Sequence, residues 1–291
     1  MRPFRLLLAS ALFLVLFVTA AVAAHVPAVW RLEANGATVY LFGTIHLLKA
    51  GTPWLDPELE RIFDASDALV VEAAVDTVDP AKLQERIRAL GYYPPDDGLA
   101  NHLDASTHGR IMTEAEKLGL PTQVLERMRP WLVGLTLTST LASRKGFLPQ
   151  FGAEAELLAR ARRKKKTVLP LETVEEQFEV FAGLSDAAQA ALLVRGLDEI
   201  AEIEDLFEQM KTAWLGGDLA ALDRLLKEGL EDNPELAEAL LYARNRRWVP
   251  KIEALLEKPG TYFVAVGAAH LVGKDSVIDL LQQDGYRVAR R

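Results

Sequence analysis

VYLFGTIHLLKA, residues 39–50, and YFVAVGAAHLVG, residues 262–273, decide how this chain is read. Each begins as a β-rich apolar run, reaches a glycine, and sets a histidine three residues further on. The two phrases are Gly43-Thr44-Ile45-His46 and Gly267-Ala268-Ala269-His270, each followed by leucine. Such runs read as buried strands. Polar groups for chemistry often stand just past strand ends, where the backbone opens into a crevice between helices. A glycine there permits unusual dihedrals or the close approach of another group.

The surrounding sequence fits that reading. VWRLEANGATVYLFG holds two strands about Asn35-Gly36, a dipeptide that favours a two-residue hairpin turn. Asp56-Pro57 starts a short helix through Asp64, with Asp as its cap and Pro in the first turn. ALVVEAAV, residues 68–75, reads as a short buried strand, and Asp79-Pro80 starts a helix that Gly91 ends. From there to about Gly260 the apolar spacing is helical, interrupted by one strand, KTVLPLE at 166–172, after the helix GAEAELLARARRKKK. TYFVAVG at 261–267 is a strand, DSVIDLLQQDG a helix and YRVAR a closing strand. Strands at both ends with helices between them predict an α/β (α+β) fold: a mixed central sheet built from both chain ends, with a large helical insertion over about residues 77–257. No low-complexity linker divides residues 25–291, which read as one domain.

The first 24 residues differ in kind. Arg2 and Arg5 make a basic start, Leu6 to Val22 is almost unbroken apolar sequence, and Ala21-Val22-Ala23 supplies a cleavage pattern. That is the form of a secretory signal peptide; the competing reading is an uncleaved membrane anchor. Export to the periplasm or beyond is expected, with any membrane contact made through this segment. The chain has no cysteine, which excludes disulfides, thiolate metal sites and a cysteine nucleophile. With 291 residues, 50% apolar and 25% charged, it can bury a substantial core. Its formal charge of −8 becomes −10 without the two arginines of the leader, which argues against a nucleic-acid partner. The basic run Arg162–Lys166 reads as a helix C-terminus, where cations complement the dipole.

The histidines are His25, His46, His102, His108 and His270. His102 and His108 lie in the polar stretch LANHLDASTHGR and read as surface residues. Glu72 is an acid inside the apolar run LVVEAAV, and buried carboxylates are rare unless paired, hydrogen-bonded or bound to metal. His46, His270 and Glu72 together would supply the ligand types of a His₂Glu catalytic metal site with one position left for water, whose pKa the metal would lower. The same groups could act without metal, an imidazole serving as base and the carboxylate orienting it. HExxH, G-x-S-x-G, P-loop and G-x-G-x-x-G motifs are all absent from the sequence.

LFGTIHLL with PWLDPELE behind it, VVEAAVD, PLETVEEQF, YARNRRWVPKI and FVAVGAAHLVGKDSVIDLLQQDGYRV, in this order, resemble the TraB/GumN family, which includes the Tiki-type proteases. The resemblance spans about residues 29–289 and implies a metal-dependent hydrolase whose active site is the two Gly-x-x-His histidines and a strand glutamate, here His46, His270 and Glu72. It also implies that Arg244 and Asn245 of RNRRW face the same cleft, where an arginine could hold a substrate carboxylate or a developing oxyanion. Where many relatives carry Gly-x-Asp, this chain has Gly152-Ala153-Glu154, and Glu172 of the LET stretch follows a strand directly; both acids are further candidates.

The expectation is thus an exported metal-dependent hydrolase of peptide or amide bonds, acting on a peptide or small molecule with a divalent cation such as manganese, cobalt or zinc. Two readings stand beside it. One is a non-catalytic protein that holds haem, a metal or a peptide in the same cleft. The other is a metal-free, esterase-like hydrolase with a histidine base.

Overall fold

A computed structural model describes residues 26–227, 230 and 233–291. The expected signal peptide, residues 1–24, and His25 lie outside the described residues.

Strands β1 (Val29–Ala34) and β2 (Ala37–Thr44) form the expected hairpin. Asn35 (φ 49°) and Gly36 (φ 79°) both adopt the left-handed conformation that a two-residue turn of this twist needs. Helix α1 (Pro57–Ala65) is capped by Asp56, whose carboxylate accepts from the Leu59 N–H at 2.6 Å. The chain then runs through β3 (Ala68–Val71), α2 (Pro80–Gly91), α3 (Ala105–Lys117), α4 (Thr122–Leu125), α5 (Pro130–Arg144) and α6 (Ala153–Arg163). After β4 (Thr167–Pro170) come α7 (Val174–Ala182), α8 (Asp186–Glu199), α9 (Ile203–Leu215), α10 (Leu219–Lys227) and α11 (Pro234–Ala237). A π-helical turn, Glu238–Tyr242, leads into α12 (Ala243–Leu255), and β5 (Gly260–Gly267), α13 (Val277–Gln283) and β6 (Ala289–Arg290) close the fold.

The sheet order is β4-β3-β5-β2-β1-β6. β4, β3, β5 and β2 are mutually parallel neighbours, while β1 runs antiparallel to β2 and to β6. The mixed sheet drawn from both chain ends is therefore present. Three strands are shorter than the sequence suggested: β3 ends at Val71 rather than near residue 75, β4 covers Thr167–Pro170 rather than 166–172, and the last strand shrinks to Ala289–Arg290. β3 stops where the Glu72 carbonyl takes the Leu171 and Glu172 N–H groups and the chain turns into a short 3₁₀ segment at Val75–Thr77.

Both sheet faces are buried, which explains the continuous apolar runs of the parallel strands. Phe42, Leu69, Val71, Phe263 and Ala265 pack on one side against residues of α1, α6, α9 and α10. Val39, Leu41, Val70, Val264 and Val266 pack on the other against Trp248, Ile252, Val277 and Leu281 of α12 and α13. The helical insertion has its own apolar centre, in which Ile111, Leu125, Val133, Leu137 and Leu193 join α3, α4, α5 and α8. The basic run ends α6 by pairing inward: Lys164 meets Asp64 of α1 at 2.6 Å, and Lys166 Nζ donates to the Asp64 carbonyl at 2.9 Å.

Candidate active site

The parallel arrangement sends four strands to one edge of the sheet. β2 pairs with β5 so that Thr44 faces Gly267, and β3 pairs with β5 so that Val71 faces Ala265. Just past these ends stand His46, Glu72 and, on a 3₁₀ turn over Ala268–His270, His270. Glu172 follows β4, and its N–H donates to the Glu72 carbonyl at 2.8 Å, so the two acidic residues leave the sheet side by side. This is the crevice at carboxyl strand ends where open α/β sheets bind ligands.

Gly267 is the meeting point. A Cβ added there would lie 3.1 Å from Glu72 Oε1, 3.5 Å from His46 Nε2 and 3.6 Å from His270 Cδ2. The glycine's use is space: three functional side chains converge over its bare Cα. Gly43 serves packing, since a Cβ there would stand 3.0 Å from Ala268 Cα and push the turn that carries His270.

Glu72 is 4% exposed and fully engaged. Oε1 accepts from the Gly267 N–H at 2.6 Å; Oε2 accepts from Arg244 Nη2 at 2.6 Å and from Gln177 Nε2 at 3.1 Å. Burial alone would raise its pKa, but the neighbouring His270 ring, the charges of Arg244 and His46 and the Gly267 N–H together bring it down to about 2. It is a carboxylate at any ordinary pH.

His270 is 3% exposed, with Nδ1 2.6 Å from Asn245 Oδ1 and Nε2 3.1 Å from Arg244 Nη1. A guanidinium can only donate, so Nε2 accepts and Nδ1 carries the proton to Asn245. The amide is itself oriented, because Asn245 Nδ2 donates to the Asp275 carbonyl at 2.8 Å. Burial holds His270 neutral and pushes its pKa down to about 3, against the opposing pull of Glu72.

His46 is the open member, with 58% of its side chain exposed, and its Nδ1 lies 3.1 Å from Glu154 Oε2. Crowding at its inner edge lowers its pKa, but the Glu154 bond and then the charges of Glu72 and Glu154 raise it to about 9. Glu154 reaches the ring because the start of α6 is pressed on the His46 loop: Ala153 N donates to the Ile45 carbonyl at 3.0 Å, and a side chain at Gly152 would overlap the His46 carbonyl.

Arg244 and Asn245 stand at the site, against His270 and Glu72. Asn245 is 1% exposed behind His270, and every N–H of Arg244 is spent inside the protein, so in this structure neither offers a donor to a substrate. Sequence reasoning missed Gln177, which steadies Glu72, and Trp248, whose Nε1 donates to Glu172 Oε2 at 3.2 Å. His102 and His108 lie elsewhere, in the helical insertion. His102 stacks on Tyr93 and meets Asp97 at 2.8 Å, and His108 meets Glu126 at 2.7 Å, so both are half-buried pairs rather than free surface residues. A separate cavity of about 690 Å³ between α8 and α9, lined by Asp198, Glu202 and Asp205 among others, shares no residue with this site.

The donor set fits a divalent cation in its chemistry. Each histidine has Nδ1 engaged by an oxygen, the outer-shell pattern that turns Nε2 toward a metal. Thr44 Oγ1, buried opposite Gly267, has no partner among the described residues. The converging groups do not stand in a coordinating arrangement, however: among the described residues no group of three His, Asp or Glu side chains is arranged to hold a metal ion.

The sequence profile of the TraB/PrgY/gumN family matches residues 28–290. The chain belongs to this family. Another similar chain is the uncharacterised protein YbaP of Escherichia coli K12, 27% identical over 243 residues that cover 84% of this chain and 87% of YbaP. Metalloprotease TIKI2 of Danio rerio is 24% identical over 300 residues, covering 86% of this chain and 57% of TIKI2. A metalloprotease TIKI homologue of Amphimedon queenslandica is 25% identical over 90% of this chain and 61% of its own length. The chain thus spans about three fifths of these two metalloproteases. No solved structure matches it.

Proposed function

We propose that this TraB/PrgY/gumN protein is a hydrolase of peptide or amide bonds that takes up a divalent cation through His46, His270 and Glu72. The observation that supports it is the convergence of His46 Nε2, Glu72 Oε1 and the His270 ring over Gly267. The similarity to metalloproteases TIKI2 and the TIKI homologue favours the same reaction class. A cation held there would supply Lewis-acid activation of water and polarise the scissile carbonyl.

The protein's own groups prepare the site. The Gly267 N–H and Gln177 hold the Glu72 carboxylate in one orientation, and Asn245 fixes the His270 tautomer with its proton on Nδ1. Glu154 holds His46 from behind and stabilises positive charge on it. Substrate would enter from the side of His46, the exposed member. The same reading includes export, on the strength of the basic start, apolar run and Ala21-Val22-Ala23 of residues 1–24.

One observation favours a second reading. Glu154, 3.1 Å from Nδ1, favours a protonated His46 and burial favours a neutral His270, an opposed pair that could act as acid and base. The test is metal content and calorimetric cation affinity of the purified protein and of a His46→Ala/His270→Ala variant, followed by a peptide-library screen with and without chelator. Stoichiometric metal lost in the variant and hydrolysis abolished by chelator are expected. Full hydrolysis in chelator would move the assignment to the metal-free pair.

A further inference from the structure

The geometry points to Arg244 as an internal latch that occupies the cation donors of the site and must release His270 before a divalent cation is held; this rests on the proposed function above. Arg244 lies two residues beyond the π-helical turn, on α12, with its side chain 11% exposed. A guanidinium has five N–H groups, and here all are committed. Nε donates to both oxygens of Glu172 at 3.1 and 3.3 Å, and Nη2 to Glu172 Oε1 and Glu72 Oε2, each at 2.6 Å. Nη1 donates to the Leu240 carbonyl and to His270 Nε2, each at 3.1 Å.

Two of the three donors proposed for the cation are thus taken by one side chain. The conflict at His270 is absolute, because Nε2 has a single in-plane lone pair, which serves either an N–H or a cation. Glu72 can share, since a carboxylate offers two oxygens. Charge makes the same point. Glu72 and Glu172 are buried carboxylates, and Arg244 bridges them as the resident cation. A divalent ion beside an unmoved Nη1 would face like charge at close range.

Release of Nη1 does not require the whole side chain to leave. Nε and Nη2 remain tied to Glu172, which Trp248 Nε1 also holds, and the guanidinium lies 4.6 Å over the Trp248 ring. The latch therefore has a fixed end on Glu172 and a free end on His270. Arg244 is a positioning residue in this scheme: it holds His270 and Glu72 in register before loading and yields one of them on loading.

The experiment is calorimetric titration of Zn²⁺ and Mn²⁺ into the purified protein and its Arg244→Lys variant, which keeps the charge and loses the fork. Alongside it, long-range ¹H–¹⁵N spectra of the histidine rings of the unsubstituted protein are recorded with and without Zn²⁺. The latch predicts a cation affinity tighter in Arg244→Lys by about tenfold or more, the worth of one hydrogen bond to a charged group. It also predicts a large shift of His270 Nε2 on loading. Binding by the variant alone would support the latch most strongly. Equal or weaker affinity in the variant, or Zn²⁺ bound at Glu72 and His46 with His270 Nε2 unmoved, overturns the latch and leaves the hydrolase reading standing. No cation bound by either protein overturns that reading and the latch with it.

Discussion

Gly267 has backbone dihedrals that other residues adopt (φ −50°, ψ 137°), so its value lies in volume rather than conformation. Gly267→Ala would bring a methyl 3.1 Å from Glu72 Oε1 and 3.5 Å from His46 Nε2, tighter than most such contacts. The variant should fold with a melting temperature near that of the parent, yet lose about tenfold or more in cation affinity; undiminished affinity by calorimetry would refute the convergence. At His46 the deciding neighbour is Glu154, whose Oε2 lies 3.1 Å from Nδ1. Glu154→Gln keeps a hydrogen-bonding side chain and removes the charge, so an NMR titration should find the His46 pKa fallen from about 9 toward 6.5. His46, Glu72 and His270 were visible in the sequence because each is a polar residue against an apolar run. Gln177 and Trp248 were not, since each occupies an ordinary helical position and reaches the site only through packing. Arg244 drew notice through resemblance alone, and its role depends on Glu172, 72 residues away, which no spacing rule connects to it.

Elements place these residues more than they enclose them. The contact between the α6 start and the His46 loop has no slack at Gly152, so Gly152→Ala should force the two apart and cost about 1–3 kcal/mol. Urea unfolding would measure this, and a midpoint equal to that of the parent would show that the loop gives way freely. Strand identities were largely legible from apolar runs, and α1 and α2 from their Asp-Pro starts. Pairing was less so. Which strands are neighbours in β4-β3-β5-β2-β1-β6 is decided by helices covering both faces, and helical periodicity shows that a face is apolar without naming what it meets. β3 was read too long because Ala73 is apolar and buried like the strand before it, although the ladder has already ended.

Across the whole molecule the buried charges tie stability to pH. His270 titrates at about 3 instead of 6.5, so as pH falls through that window the unfolded chain takes the proton first and stability drops. Glu72, at about 2 instead of 4.5, contributes stability that is complete above 4.5 and is lost as pH falls through 2. His46, raised to about 9, contributes in the opposite sense: fully below 6.5, and less as pH rises through 9. Denaturation midpoints between pH 3 and 10 should describe a maximum near pH 6.5 that falls on both sides. His270→Gln should flatten the acid limb between pH 6.5 and 4.5 while the alkaline limb persists; a limb of unchanged slope would remove His270 as its cause.

The seating of β5 between β3 and β2 also governs how the molecule can be made. The gap at the middle of the parallel sheet is filled by a segment that begins at Gly260, and Ala289–Arg290 then cover β1. A ribosome delivers residues in order, so β2 and β3 emerge long before the strand that joins them, and loop closure over such separations slows folding. Through that interval their facing edges stay unpaired and open to other chains. Proteolytic clipping before residue 260 would recreate the same open edges in a finished protein, so quality control that recognises exposed strands would sense any copy lacking the second histidine phrase.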